Sequence, residues 1–155
     1  MRSWWTQVVG AMTAHVPAGY VVDSGAAYAH RGNGLTYGWS ITNTSQARQR
    51  NAPSSPDIRY ETIVQMQRPG SATRWQIAVP DGTYLVHLVA GDPDHTDSVY
   101  RLDVQGTLAV SGKPTTSHHW FEGSVIVTVT NGKLIVSNGA GSSNDKIDYV
   151  DIIAA

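Results

Sequence analysis

The sequence predicts an all-β domain in which two antiparallel sheets form a sandwich. Segments that alternate apolar and polar residues recur about every 8–12 residues in the second half of the chain, which is the spacing of sandwich strands. The turn-forming dipeptides Asp81-Gly82 and Asn131-Gly132 separate two pairs of these segments. Only 15% of the residues are charged, so we expect a surface rich in Ser, Thr, Asn and Gly, as in many extracellular β proteins.

The strand pattern is clearest after residue 58. Segments 74–79 and 83–89 flank the first turn dipeptide and are predicted to form a hairpin. Segments 124–130 and 133–137 flank the second dipeptide and are predicted to form another. Further strands are predicted over residues 20–23, 58–66, 99–104, 108–110 and 146–153.

The first half of the chain is less regular. Segment 24–58 is rich in Gly, Asn, Ser, Pro and Arg and shows little periodicity, and a long irregular stretch in a compact domain is commonly functional. Residues 4–12 fit either an amphipathic helix or a leading strand. The length of 155 residues suits one domain over 1–155, with residues 1–18 as an N-terminal lead-in.

The composition excludes several classes of protein. Because the chain has no cysteine, it cannot form disulfides, thiolate metal sites or a cysteine nucleophile. A net charge of −1 provides no electrostatic footprint for binding nucleic acid or an anionic membrane. No stretch approaches the ~20 apolar residues of a membrane span.

Several motifs follow one another in an ordered series along residues 19–153. They are residues 23–28, Tyr37-Gly38-Trp39, Trp75 with residues 79–84, residues 91–93, residues 131–134 and residues 146–152. In order and spacing the series resembles the malectin-like and galactose-binding-like β-sandwich modules, many of which are carbohydrate-binding modules of secreted bacterial glycosidases and polysaccharide lyases. The resemblance implies a jelly-roll sandwich without catalytic activity, which binds sugar at loop tips or on a concave sheet face.

The resemblance also implies metal and ligand residues. Related modules often hold a structural calcium ion, for which Asp148 and Asp151 in the last strand are the candidate oxygen ligands. Related modules often place an asparagine in the loop before that strand, which makes Asn144 a candidate sugar contact.

Sugar recognition requires an aromatic plane for the C–H face of a pyranose ring and planar polar groups for its hydroxyls. Tyr37 and Trp39 lie in a Gly-rich segment and are predicted to stack on sugar, with burial beneath the loop as the alternative. Trp120 follows His118 and His119 and is predicted to stack as well, with burial at the start of a strand as the alternative.

Polar candidates accompany these aromatic residues. Arg50 and Arg59 border the irregular stretch, where their guanidinium groups could bind an acidic glycan such as a uronate polymer, or tether the loop through backbone carbonyls. Asp92 and His95 could exchange hydrogen bonds with sugar hydroxyls. The cluster that Asp92 forms with Asp94 and Asp97 could instead bind Ca²⁺ or belong to an Asp-rich turn.

The predicted function is a non-catalytic carbohydrate-binding module that targets a secreted polysaccharide-degrading enzyme to a plant or microbial polysaccharide. Its expected partners are a polysaccharide or oligosaccharide and the catalytic domain of that enzyme, with the module itself a monomer. The sequence has no nucleophile elbow, phosphate loop or His-Glu-x-x-His motif, and its two glutamates, Glu61 and Glu122, lie in strand-like segments. Two alternatives remain open, a structural or adhesion domain of a cell-surface protein and a small polysaccharide lyase.

Overall fold

Strands provide nearly all of the regular structure. The computed structural model describes residues 5–9, 17–68 and 70–155, and of residues 5–9 and of Arg68 only the backbone. Two short 3₁₀ turns lie at Thr44–Gln46 and Ile58–Glu61. The strands are β1 Trp5–Val9, β2 Tyr20–Val22, β3 Ala29–His30, β4 Thr36–Trp39, β5 Ala47–Gln49, β6 Thr62–Gln65, β7 Gln67–Arg68, β8 Ser71–Ala72, β9 Trp75–Ala78, β10 Gly82–Gly91, β11 Tyr100–Val104, β12 Thr107–Gly112, β13 Trp120–Val129, β14 Lys133–Asn138, β15 Lys146–Ile147 and β16 Tyr149–Ala154.

Two large sheets form the sandwich. One has five strands in the order β13-β10-β16-β1-β2, and the other has six in the order β12-β11-β14-β9-β4-β3. Their pairings are antiparallel apart from β1 with β2. A three-stranded sheet, β15-β6-β5, and the small pair β7-β8 complete the fold. The all-β jelly-roll sandwich predicted from the sequence is confirmed.

The core lies between the inward faces of the two large sheets. Successive residues of a strand point to opposite faces, so alternate residues of β10, such as Val86 and Leu88, are fully buried. Leu102 and Leu134 from the six-stranded sheet belong to the same buried cluster. Within the part of the chain that the structure describes, no helix is long and apolar enough to span a bilayer.

Both hairpins predicted from the turn dipeptides are wrong, because in each case the two strands belong to different sheets. Strand β9 pairs with β4 and β14, whereas β10 pairs with β13 and β16. The connections after β9 and after β13 therefore cross from one sheet to the other. They lie side by side, since Asp81 Oδ1 accepts a hydrogen bond from the Gly132 amide at 2.8 Å and the Val79 amide donates to the Gly132 carbonyl at 3.0 Å.

A true hairpin joins β11 to β12. Its turn residues Gln105 and Gly106 have φ values of 49° and 78°, so both occupy the left-handed region that a two-residue type I′ turn requires. The Asn-Gly and Asp-Gly dipeptides correctly marked where the chain turns, but not which strands pair.

The first half of the chain contains more strand than the sequence suggested. Strands β3, β4 and β5 lie within segment 24–58, and the predicted strand 58–66 begins with a 3₁₀ turn before β6. Of the ambiguous residues 4–12, positions 5–9 form β1, as the leading-strand alternative expected, and the others lie outside the described residues.

The sandwich predicts losses of stability of different size for the same substitution at two positions of β10. Leu88 is fully buried in the core, so Leu88→Ala should lower the free energy of unfolding by about 2–5 kcal/mol. Leu85 is 38% exposed on the outer face, so Leu85→Ala should lower the free energy of unfolding by clearly less than Leu88→Ala does. Urea denaturation of both variants measures the difference, and equal losses would contradict the assigned faces.

Candidate functional site

The three-stranded sheet has one apolar face and one polar face. Ala47, Val64 and Ile147 lie in one cross-strand row and pack against the main core. Because side chains alternate along a strand, their neighbours Arg48 and Lys146 face the other way. The small sheet thus closes part of the sandwich with one face and presents polar groups with the other.

A polar pocket of about 360 Å³ lies over this second face. The loop after β10 and the loop before β15 form its other walls. We call it the polar pocket, and it is lined by Gln46, Arg48, Arg50, Ile63, Gln65, Asp92, His95, Asp97, Asn144 and Lys146.

A buried ion cluster forms the base of the polar pocket. Asp92 is 0% exposed and accepts a hydrogen bond from Lys146 Nζ at 2.8 Å. Arg50 binds the same carboxylate through two nitrogens, with Nη2 to Oδ2 at 3.1 Å and Nε to Oδ1 at 3.3 Å. The Asp94 amide donates to Oδ1 at 2.9 Å. Both carboxylate oxygens are therefore occupied by protein donors.

These contacts determine the charge of Asp92. Burial by itself would raise its pKa, but the hydrogen bonds from Lys146, the Asp94 amide and Arg50 hold the pKa below the ordinary carboxyl value. The carboxylate consequently stays ionised and orients Arg50 and Lys146. Asp92 was predicted to bind sugar directly, and the structure instead gives it a positioning role beneath the surface.

Asn144 forms the opposite wall in a left-handed backbone conformation with φ 55°, which asparagine tolerates better than most residues. Its amide donates to Asp97 Oδ1 at 3.1 Å and accepts a hydrogen bond from Gln65 Nε2. The Ser98 hydroxyl donates to the Asn144 carbonyl at 2.8 Å. These bonds hold the side-chain amide in place at the pocket wall.

Arg48 is the exposed cation of the pocket. Its Nη1 donates to the carbonyls of Ser45 and Ala47 at 2.6 and 2.9 Å. A guanidinium has five N–H donors, and these two bonds use Nη1 only. The Nε and Nη2 groups therefore keep donors for a ligand.

The structure separates the predicted ligand-binding residues into three places. Arg50, Asp92, His95 and Asn144 meet at the polar pocket. The pocket residues outside the predicted ligand-binding set are Gln46, Arg48, Ile63, Gln65, Asp97 and Lys146, of which Asp97 was considered as a possible calcium ligand. Arg48 lies in β5, with Gln46 two residues before it and Arg50 two residues after it, and this spacing was a usable signal that the three side chains share one side of the pocket.

Tyr37 and Trp39 are core residues, so their predicted stacking role is corrected. Trp39 is 0% exposed, and its Nε1 donates to Asp23 Oδ2 at 2.7 Å. The Tyr37 hydroxyl donates to the Val22 carbonyl at 2.7 Å. Burial raises the pKa of Asp23 to about 6, against the effect of hydrogen bonds from Gly25 and Trp39. Each aromatic polar atom has an internal partner, which lets the whole side chain enter the core.

Trp120 and Arg59 lie outside the polar pocket. Trp120 is half-buried at the start of β13, and its Nε1 donates to the Tyr60 carbonyl at 3.0 Å. Arg59 binds Asp57 through Nε at 3.0 Å and Nη2 at 2.7 Å, and its guanidinium lies 4.6 Å from the centroid of the Tyr149 ring. Both belong to the surroundings of the outer face of the five-stranded sheet.

The two predicted calcium ligands have different hydrogen-bond partners in the structure. Asp148 is buried and accepts from the Gly91 amide at 3.1 Å, and burial raises its pKa well above the ordinary value. Asp151 contacts the Tyr20 hydroxyl at 2.8 Å and His87 Nδ1 at 3.3 Å. No group of three or more His, Cys, Asp or Glu residues in the described ranges is placed to hold a metal ion. Calcium binding by Asp148 and Asp151 stays a prediction, which thermal unfolding with and without EDTA can measure.

Comparisons with known proteins bear on the fold. Neither a protein-family model nor a curated protein matches the chain. Among solved structures it is similar to protein YXIM_BACsu from Bacillus subtilis, with a TM-score of 0.65 and 18% identity over 98% of this chain and 40% of that one. It is also similar to Bacteroides uniformis β-glucuronidase 2, with a TM-score of 0.62 and 12% identity over 98% of this chain and 18% of that one.

A chain of the complex of the plant peptide RALF23 with FER and LLG2 gives a TM-score of 0.60 and 13% identity, over 98% of this chain and 40% of that one. At these identities the likeness shows a shared fold. The chain spans less than half the length of each of these solved chains, so the same sandwich occurs within much longer proteins.

The ion cluster predicts a large stability difference between two neighbouring aspartates. Asp92→Asn removes the charge that Lys146 and Arg50 share, and Lys146 is only 4% exposed, so the free energy of unfolding should fall by about 3–5 kcal/mol at neutral pH. Asp94 is 52% exposed and 3.6 Å from Arg50 Nε, so Asp94→Asn should change it by less than about 1 kcal/mol.

The difference in stability between Asp92→Asn and Asp94→Asn also depends on pH. Because the folded pKa of Asp92 lies below the ordinary value of 3.8, its contribution is present above that pH and is lost as the pH falls through the folded pKa. Denaturant titrations at neutral and acid pH test both points, and a loss for Asp92→Asn no larger than for Asp94→Asn would refute the cluster.

Proposed function

We propose that this chain is a non-catalytic carbohydrate-binding module and that the polar pocket is its sugar site. The observation that carries the proposal is the convergence of guanidinium, amide, carboxylate and imidazole groups on one cavity of about 360 Å³. Sugar hydroxyls both donate and accept hydrogen bonds, and this set of side chains supplies both kinds of partner. The volume lies in the range of small-molecule sites.

The arrangement is preorganised, which matters for a ligand as well hydrated as a sugar. Arg50 and Lys146 are held by buried Asp92, and Asn144 is held by Gln65 and Asp97. Binding then orders few protein side chains, which lowers the entropic cost of association. Exposed Arg48 at the mouth of the pocket is the group most available to a ligand.

The carboxylates of the pocket support a non-catalytic role. Glycoside hydrolysis commonly needs a carboxylic acid that keeps its proton together with a second carboxylate that acts as base or nucleophile. Asp92 is held ionised and has both oxygens occupied, so it is unsuited to donate a proton. Asp97, the other carboxylate lining the pocket, accepts a hydrogen bond from Asn144.

The proposal extends to a parent protein. We infer an exported polysaccharide-degrading enzyme in which the module holds the catalytic domain near its polymer and so raises its effective concentration there. The similar solved chains, which contain this fold as 18–40% of their length, are compatible with such an arrangement.

One observation favours a second candidate, a structural or adhesion domain. Leu85, Ile126 and Ile153 are exposed and lie side by side on the outer face of the five-stranded sheet, since Leu85 is directly opposite both isoleucines. An exposed apolar row of this kind suits contact with another protein. A chain that binds no glycan but associates with a protein partner through this row would support this candidate.

A third candidate is a polysaccharide lyase, whose catalytic groups would be the Arg, Tyr and His side chains on the outer face of the same sheet. Arg59 Nη1 donates to the Tyr20 hydroxyl at 2.9 Å, and Asp151 connects Tyr20 to His87. Burial is the largest of the effects that raise the pKa of Tyr20 to about 12, so this hydroxyl keeps its proton at neutral pH and is a poor base. Release of unsaturated sugar from any polymer would nevertheless establish the lyase.

Substitution of Arg48 tests the sugar site. We expect Arg48→Ala to weaken binding to the polysaccharide at least tenfold. The thermal midpoint should stay nearly unchanged, because Arg48 is exposed and its Nη1 bonds backbone carbonyls of its own segment. The matched control is Arg74→Ala, which removes an exposed arginine outside the pocket lining.

The measurement is affinity electrophoresis through gels that contain xylan, pectin, β-glucan, mannan or chitin. Retardation of the wild type and of Arg74→Ala, with loss for Arg48→Ala, would support the polar pocket. Equal retardation of all three would remove the pocket from the proposal, and no retardation in any gel would count against sugar binding itself.

A further inference from the structure

A second cavity, the aromatic pocket, lies on the outer face of the five-stranded sheet. It has a volume of about 400 Å³ and is placed where the end of β10 pairs with the start of β13. It is lined by Tyr60, Val89, His118, Trp120, Phe121 and Glu122. None of these residues lines the polar pocket.

The indole of Trp120 is held in place by its surroundings. It lies against the backbone of Gly91, where a Cβ atom would be 2.3 Å from Trp120 Cδ1, so a larger residue at position 91 would displace the ring. The adjacent ring atom, Nε1, donates to the Tyr60 carbonyl at 3.0 Å. These two contacts hold the five-membered ring of the half-buried indole against the backbone, so Trp120 is a fixed wall of the pocket.

Tyr60 forms a second wall at a right angle to the first. Its ring centroid lies 5.9 Å from that of Trp120 with an interplanar angle of 89°. Tyr149 holds Tyr60 from behind through a hydrogen bond between their hydroxyls at 3.0 Å and a ring contact at 5.4 Å. The pocket therefore offers two fixed aromatic planes that meet in a corner.

Two lining residues, Glu122 and His118, offer polar side chains to a ligand, whereas the Tyr60 hydroxyl and Trp120 Nε1 already bond within the protein. Glu122 has a 60% exposed side chain, and exposed His118 stacks on Phe121 at 4.2 Å. Glu122 is the one acidic residue among those that line the pocket, and a carboxylate at this place disfavours an anionic ligand. Aromatic walls with a carboxylate and an imidazole beside them suit a neutral ligand that has an apolar face and hydroxyl groups at its edge.

We propose that the aromatic pocket is a second sugar-binding site, which stacks a neutral pyranose ring on Trp120 and bonds its hydroxyls through Glu122 and His118. The inference rests on the proposed function, because it assumes that the ligand of the module is a glycan. It adds a separate site and excludes uronate as the sugar bound there.

The two pockets are neighbours, so one polymer chain could contact both of them. Gly91 supports Trp120, and the next residue, Asp92, is the base of the polar pocket. His119 Nδ1 also donates to the Asp92 carbonyl at 3.0 Å. Two sites on one small module retain it on a polymer more strongly than either alone, because the second contact forms at high effective concentration.

The test compares variants of the full chain on whichever of the five polysaccharides named above retains the wild type. Trp120→Ala should weaken retention at least tenfold. Because this change removes a packed ring, a second variant, His118→Ala with Glu122→Ala, alters the polar groups and leaves the contacts of Trp120 with Gly91 and Tyr60 in place. It should weaken retention severalfold with an unchanged thermal midpoint. Ser124→Ala, an exposed position on the same strand, is the matched control and should behave as wild type.

Arg48→Ala separates the two proposals. If it weakens retention while Trp120→Ala and the double variant behave as wild type, the polar pocket binds sugar and the second site is refuted. If Trp120→Ala does not fold, the double variant decides by itself. If no polysaccharide retains the wild type, the proposed function fails and this inference fails with it. Stronger retention of the wild type on pectin than on the neutral polymers, with sensitivity to Trp120→Ala, would overturn the assignment of a neutral sugar.

Discussion

A buried carboxylate that must keep its charge shapes the functional end of this protein. Asp92 follows the last residue of β10 and is fully buried, and removing an ionised carboxylate from water costs several kcal/mol unless cations compensate for it. Lys146 from β15 and Arg50 from beyond β5 supply that compensation. These ion pairs connect strand β15 and the segment after β5 to the end of β10 in the five-stranded sheet.

The consequences extend to both cavities. On one side of the β10 end, the ion cluster orients the cations of the polar pocket, and Asn144 closes the wall opposite them. On the other side, the backbone of Gly91 makes room for the indole of Trp120 and so forms the aromatic pocket. Adjacent residues of a single strand end thus support two cavities of different chemistry, one rich in cations and amides and the other aromatic.

The sandwich itself explains why this end of the molecule is available for binding. The connections after β9 and after β13 cross between the sheets side by side. They are joined by the hydrogen bonds of Asp81 and Val79 with Gly132. The turn residues that are most conspicuous in the sequence are therefore committed to structure. The loops around Asp92 and Asn144 carry the polar side chains that line the pocket.

The sequence by itself determined the fold class, most of the strands, the turn positions and four of the ten residues that line the polar pocket. Period-two alternation shows which residues of a strand share a face, and loop residues such as Arg50, Asp92, His95 and Asn144 were selected for their chemistry. Only the tertiary structure decided which strands pair, because alternation is the same whether a strand turns back in its own sheet or crosses to the other. The tertiary structure also decided which aromatic residues are buried and which stay partly exposed. Trp39 enters the core because Asp23, distant in sequence, accepts its indole hydrogen, whereas Trp120 stays half-exposed because Gly91 and Tyr60 hold it at the surface. Such partners lie far apart along the chain, and the local sequence does not indicate which of them will be in contact.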